Sequence, residues 1–393
     1  MNAKKAVPLP RISMDLFVKE TYFALLRAAI KGESIEAGGE CIGERLPAVL
    51  ALAQRQGTGA LVAEQLLKAN GEWLEANEAL KMQCKAICAR GMMAQEEQRA
   101  VLRKAWQALE AGGIKPVLLK GLSLAHYYPK PYLRHCGDLD IYVGKTNYHS
   151  GAKILRETFP DAPRFDTEEE YFKHYNLNVG STAIEMHRVT KIFAHPKDDR
   201  LYDALEREAL QDKFVTFTDG EDAWREPEWK FNVLFVFIHS WEHFVTEAVN
   251  MRQLCDLTLL LRSQKPEVSC QLEEYLRRNL TELHLRHAWQ LYAYLMVKYL
   301  GLPKDQCPLY TDKCADKAES LMTHILCGRE QKHFAGNAPK NVVLRKLYTL
   351  RQRIAEAREI GKIEPHYARH MVVTTVAQSW ERFKKGENTR TWE

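Results

Sequence analysis

The stretch LLKGLSLAHYYPKPYLRHCGDLDIYV, residues 118–143, decides how the rest of the chain is read. With Ile114 in front of it, the apolar start ends at Lys120-Gly121, as a short buried strand does. Leu122 to Tyr128 has a helical pattern, which Pro129 and Pro131 stop. Asp138 to Val143 alternates polar and apolar residues and predicts a second strand. Further out, Asn147 to Phe159 predicts a helix, and Thr182 to Arg188 alternates again as a third strand. Residues 112–200 are therefore expected to form a small α/β core.

The surroundings read differently. Residues 1–14 are basic and Pro-containing and are expected to be a flexible arm. Residues 15–111 carry apolar residues at helical spacing, among them Phe23, Leu26, Val49, Leu50, Leu61 and Leu66. A long helix is expected from about Trp73 to Ala111, stopped by Gly112-Gly113. From about Ala204 the pattern is mostly helical. The helices expected there are Glu228 to Val249, Met251 to Arg262, Cys270 to Leu300, Lys317 to Leu326, Val342 to Ile360 and Tyr367 to Lys385. Residues 301–316 form a connector, and 201–393 a helical C-terminal domain. The fold expected is α/β of the α+β kind, a small mixed sheet embedded in a mostly helical protein.

Composition bounds the function. The chain has 393 residues, 46% hydrophobic and 27% charged, which fits a folded globular protein. Its net charge of +5 is too small to argue nucleic-acid binding. No apolar run approaches the roughly 20 residues of a membrane span, and residues 1–14, basic and without an apolar core behind them, are not expected to be a signal peptide. The nine cysteines contain no CxxC pair. Reduced thiols in a cytoplasmic protein are the simplest reading, with Cys84 and Cys88 as core packing.

Asp138 and Asp140 are spaced i, i+2 on a strand and so point to one face. Two like charges there are costly unless a cation joins them. Mg²⁺, with Mn²⁺ as the alternative, takes carboxylates together with substrate phosphates, and two such ions form a clamp for in-line displacement at phosphorus. Glu185 on the third strand is a candidate third ligand or general base. Gly121 ends a strand before a helix, where backbone N–H groups can face a phosphate. Ser123 offers a hydroxyl, and Lys120 and Arg134 are candidate phosphate partners, Arg134 also a candidate ion-pair partner for the aspartates. His187 shares the face of Glu185. His243, Arg252 and Asp256 lie downstream. Arg252 and Asp256 have i, i+4 ion-pair spacing, and these three residues read either as a buried network fixing the helical domain or, through Arg252, as a contact to a triphosphate.

Lys120-Gly121, Arg134, Asp138-x-Asp140 and Glu185-x-His187, with His243, Arg252 and Asp256 behind them, resemble the nucleotidyltransferase superfamily. Within it they are similar to a bacterial family labelled uncharacterised nucleotidyltransferase. The resemblance covers roughly residues 20–265. Here Leu122 intervenes between Gly121 and Ser123, where the superfamily has adjacent small residues. The resemblance implies a minimal mixed sheet with flanking helices, Mg²⁺ and an NTP donor, ATP among the candidates. It implies transfer of an NMP group to an acceptor, with Asp138, Asp140 and Glu185 at the metal.

Two other readings stand beside it. One is a catalytically idle module that binds a nucleotide or a partner. The other is a zinc metallopeptidase on His239, Glu242 and His243, which match H-x-x-E-H. The runs Phe231/Phe235/Phe237 read as core, and Arg188/Lys191, Lys197/Arg200 and Arg382 to Lys385 as solvated basic faces. The acceptor (small molecule, peptide, protein or RNA end) and the oligomeric state are not encoded in these patterns.

Overall fold

The computed structural model describes residues 15–35, 45–69, 77–163, 173–193, 195–211, 213–246, 249–264, 269–327 and 342–365, with 368, 369 and 373. The expected arm over 1–14, the run Arg382 to Lys385 and most of the helix expected over Tyr367 to Lys385 lie outside them.

Four helices lead in: α1 (Leu16–Lys31), α2 (Leu46–Arg55), α3 (Gly59–Lys68) and α4 (Glu78–Ala111). Asp15 caps α1 by accepting from the Phe17 N–H at 3.0 Å. Asn77 caps α4 by accepting from the Leu80 N–H at 3.0 Å; the start expected near Trp73 lies outside the described residues. It runs 34 residues to the Gly112-Gly113 stop.

The sheet follows. Its elements are β1 (Val117–Leu118), α5 (Leu122–Ala125), β2 (Leu139–Tyr142), α6 (Gly144–Thr158), β3 (His174–Val179) and β4 (Thr182–His187). The strand order is β1-β2-β4-β3. β1 runs antiparallel to β2, β2 parallel to β4, and β4 antiparallel to β3, so the small mixed sheet expected from the sequence is present. One face carries Leu118, Leu139, Ile141, Leu177, Ile184 and Met186, buried against Leu102, Trp106 and Leu109 of α4 and Leu155 of α6. The other face carries the polar residues of the candidate site, flanked by Val117, Leu119 and Tyr142.

The chain continues with α7 (Pro196–Gln211), β5 (Val215–Asp219), β6 (Asp222–Glu226), α8 (Trp229–Thr246), α9 (Met251–Arg262), α10 (Ser269–Glu282), α11 (Arg286–Leu300), α12 (Ala315–Cys327) and α13 (Val342–Ile363). The β5–β6 hairpin lies in a stretch that was expected to be mostly helical. Arg99 and Arg103 of α4 hold it by paired hydrogen bonds to Asp219 (2.7 and 3.1 Å) and Asp222 (2.8 and 2.7 Å). The helix expected over Cys270 to Leu300 is two helices, because the chain turns at His284 with φ 56°.

A second, larger cluster joins Tyr22, Leu26 and Leu50 of the leading helices to Phe231, Trp241, Trp289 and Tyr292 of the following ones. The helical residues on either side of the sheet in sequence thus share one core. Phe235 and Phe237 are buried in it, as their spacing predicted. Cys84 is buried there too, and the described cysteines form no disulfide. Among the described residues no helix is long and apolar enough to cross a membrane.

Candidate active site

The turn after β1 brings the first members together. The Leu119 N–H donates to the Asp140 carbonyl at 3.0 Å, so Lys120 lies across from the start of β2. Its ammonium stands 3.0 Å from Asp140 Oδ2 and 3.7 Å from Asp138 Oδ2. Gly121 follows with φ 68°, and a Cβ there would meet the Asp138 carbonyl oxygen at 3.0 Å. Glycine is needed for the backbone conformation and for the close approach alike.

Parallel pairing sets Asp140 beside Glu185. Successive side chains alternate along a strand, so Asp140, Glu185 and His187 share one face. The ligand oxygens of Asp138, Asp140 and Glu185 lie within 4.8 Å of one another. His187 Nε2 is 2.8 Å from Asp140 Oδ1 and 3.6 Å from Glu185 Oε2. β3 adds His174, which the motif reading missed. It stands opposite His187, with its Nε2 3.8 Å from Glu185 Oε1. A signal for it exists: residues 174–179 alternate, and the two-residue loop Gly180-Ser181, with φ 60° at Gly180, marks a hairpin into β4.

These groups tune one another. Burial raises the Asp140 pKa, but Lys120 and His187 outweigh it and hold this carboxyl well below the usual range. Burial raises Glu185 also, and the nearby His187 with the charges of His174 and Lys120 brings it below its ordinary value. Asp138 stays raised, through burial and the nearby Asp140 and Glu185, against the pull of Lys120 and Arg252. Burial disfavours the Lys120 ammonium, yet the three carboxylates raise its pKa. Three carboxylates face one lysine and one shared imidazole. Asp140 Oδ2 is buried without a hydrogen bond of good geometry, next to the Lys120 ammonium. An oxygen-rich donor set with surplus negative charge fits a hard divalent cation.

Two expected phosphate partners are placed elsewhere. Ser123 is fully buried and its hydroxyl donates to Glu226 at 3.1 Å, alongside Tyr127 at 2.7 Å. The helix behind Gly121 is a single turn. Its Ser123, Leu124 and Ala125 N–H groups bond back to Lys120 and Gly121 carbonyls, which reduces the backbone cradle expected there. Arg134 turns from the aspartates to Asp256, with Nε–Oδ1 2.9 Å and Nη2–Oδ2 2.7 Å, both side chains buried. Tyr128 donates to the same carboxylate at 2.7 Å. Asp256 is therefore the anchor of a buried network between the 131–133 turn and α9, with Arg134 in the place expected for Arg252. Arg252 itself donates to the His135 carbonyl at 2.9 Å, and its charge reaches Asp138.

α8 covers the same region. His239 and His243 approach with Nε2 atoms 3.0 Å apart, as helical spacing predicted. Burial and the charges of Lys120, His243 and Lys173 hold the His239 pKa far below its ordinary value, so this ring is neutral. Glu242 is ion-paired with Lys191 and with Lys173 at 3.8 Å. Among the described residues, the groups of three or more side chains spaced to hold a metal are Asp138/Asp140/Glu185 and His174/Glu185/His187. The zinc-peptidase reading thus loses both its free base and a third ligand.

A family model described as uncharacterised nucleotidyltransferase matches residues 44–301, about two-thirds of the chain. No curated protein and no solved structure matches it. The matched span takes in helices before the sheet, the carboxylate strands and the packed helices through α11, and by that extent the chain belongs to the uncharacterised nucleotidyltransferase family.

Proposed function

We propose that the protein is a Mg²⁺-dependent nucleotidyltransferase, with Mn²⁺ as the alternative ion, that moves an NMP group from an NTP to an acceptor and releases pyrophosphate. The observation that carries this reading is the meeting of Asp138, Asp140 and Glu185 within 4.8 Å in a chain of this family. Asp138, Asp140 and Glu185 would hold the ion, whose chemistry is to neutralise and orient the phosphates.

The chain's own residues divide the work. Asp140, buried and held ionised, is the fixed ligand, and His187 orients it through its short hydrogen bond. Asp138, whose side chain is 40% exposed, is the ligand on the solvent side. Glu185 completes the set. Ionised, it also suits the second task of taking the acceptor hydroxyl proton as the acceptor oxygen bonds to the α-phosphorus and the bond to pyrophosphate breaks. Lys120 balances the carboxylates and turns to the phosphates when they enter, and Arg252 reaches the triphosphate from α9. Gly121 leaves room for a close backbone approach. Ser123 and Arg134 take no part, since Glu226 and Asp256 hold them. Rate enhancement comes chiefly from positioning and electrostatics.

The test is calorimetric titration of ATP, GTP, CTP and UTP, with and without Mg²⁺, into wild type and Asp138→Asn/Asp140→Asn. We expect at least one nucleotide to bind in a metal-dependent way, and the double variant to bind it about tenfold more weakly or worse, a loss of at least 1.4 kcal/mol. Absence of nucleotide binding, or equal binding by the double variant, overturns the proposal.

A further inference from the structure

We infer that the sheet carries a second cation position, made by His174, Glu185 and His187, which takes a first-row transition-metal dication in preference to Mg²⁺. The three side chains come from the β3–β4 hairpin, where His174 is paired with His187. Each offers one ligand atom, and these atoms lie within 4.8 Å of one another. Glu185 presents Oε1 to His174 Nε2 at 3.8 Å and Oε2 to His187 Nε2 at 3.6 Å. Two donors held about 2.1 Å from one ion are roughly 3.0–3.6 Å apart for angles of about 90–120°. The two Glu185 spacings lie within a few tenths of an ångström of that range, and the remaining pair, within 4.8 Å, closes further as the ion enters.

The rings have one polar outlet each. Nδ1 of His174 and Nδ1 of His187 are buried without a hydrogen-bond partner, and both Nε2 atoms face Glu185. Without a cation the Nε2 proton of His187 bonds Asp140 Oδ1 at 2.8 Å; an ion at this nitrogen takes the place of that proton and lies beside the same carboxylate oxygen. Two imidazoles and one carboxylate are a borderline donor set. Such sets favour Fe²⁺, Co²⁺ or Zn²⁺, whereas Mg²⁺ and Mn²⁺ suit oxygen. Glu185 belongs to this group and to the carboxylate group with Asp138 and Asp140. It therefore stands between two unlike positions, an all-oxygen one and a nitrogen-containing one. The site adjoins the one used in the proposed function, but its occupancy does not depend on nucleotide transfer and is read with no nucleotide present.

The experiment titrates Co²⁺ into metal-free full-length protein in a large excess of Mg²⁺ and follows visible absorption, which reports nitrogen ligation in a low-coordinate site. We expect one Co²⁺ to bind and its absorption band to persist in the excess of Mg²⁺. His174→Ala should weaken Co²⁺ at least about tenfold, since loss even of outer partners costs 10–100-fold. The His174 side chain is 28% exposed on an edge strand, so this variant should fold, and its melting curve checks that. His187→Gln is the second ligand variant. Asp138→Asn, outside the triad, should retain the band. A missing band, its loss to Mg²⁺, no change in His174→Ala, or equal loss in Asp138→Asn overturns the inference. Retention of the Co²⁺ band with no NTP binding would fell only the transfer reading.

Discussion

Lys191 is almost buried under α8, its side chain 11% exposed, with Glu242 as its ion-pair partner. Burial lowers its pKa, and Glu242 opposes this. Burial raises the carboxyl of Glu242, but Lys191 and Lys173 outweigh that and bring it below its ordinary 4.5. Glu242→Gln leaves two neighbouring ammonium groups without their common counter-ion. The expected cost is roughly 1–3 kcal/mol, below that of a fully buried pair because Glu242 is partly solvated. A carboxyl depressed on folding stabilises above its unfolded value and loses that contribution as pH falls through the folded one. The gap between wild type and variant in urea midpoints should be full above about pH 4.5 and close below it. A gap that is constant with pH would show that the charge of Glu242 is not its source. The same residues mark what sequence reading reached. Helical spacing predicted the approach of His239 and His243, and i, i+2 spacing the shared face of Asp138 and Asp140, because both are local. Nothing local announced that Lys173 and Lys191 would claim Glu242. Arg134 and Ser123 found partners 122 and 103 positions away, beyond any spacing rule.

Between elements, the Arg134–Asp256 pair ties the turn that feeds β2 to α9. Both side chains are nearly inaccessible, at 5% and 3%, and Tyr128 adds a third buried group. Removing one partner of such a pair strands the other charge and costs roughly 3–5 kcal/mol. Asp256→Asn should lower the unfolding free energy by that order, with little change in the slope against urea. Arg134→Met/Asp256→Leu should cost less than the sum of its single changes, since neither charge is then left alone. Additivity in that cycle would mean the two residues act separately. At this scale long elements were legible and short ones were not. The 34-residue α4 announces itself by composition and by the Gly112-Gly113 stop. The strands Val215–Asp219 and Asp222–Glu226 are five residues each and partly exposed; Val215 to Thr218 alternates, but over too few residues to stand out. What fixes them is α4, through Arg99, Arg103 and the edge-to-face contact of Trp106 with Trp224.

In the whole molecule, chain order and packing divide the residues differently. Residues 112–200 contain every carboxylate of the candidate site, yet neither face of their sheet is closed from within. One face needs Leu102, Ala105, Trp106 and Leu109 of α4 and Trp224 of β6. On the other, Val117, Leu119 and Tyr142 belong to the core built by the helices on both sides of the sheet in sequence. A stretch of this size buries only about 60% of its surface even when its core is complete. Deprived of its covers on both faces, it cannot offset the conformational entropy of ordering roughly 1–2 kcal/mol per residue. A fragment of residues 112–200 is therefore expected to show no cooperative thermal transition and no protected amides. Extending it back to Asn77 restores the α4 face but leaves the second core open, so this fragment should remain without a sharp transition as well. Only chains that include α1 to α4 and α8 to α12 should melt as one unit, with Mg²⁺ or Co²⁺ raising the midpoint through the ligands on the sheet. A cooperative melt of the 112–200 fragment would mean that the carboxylate strands hold their register alone, and that the helices around them cover the site and are not part of its foundation.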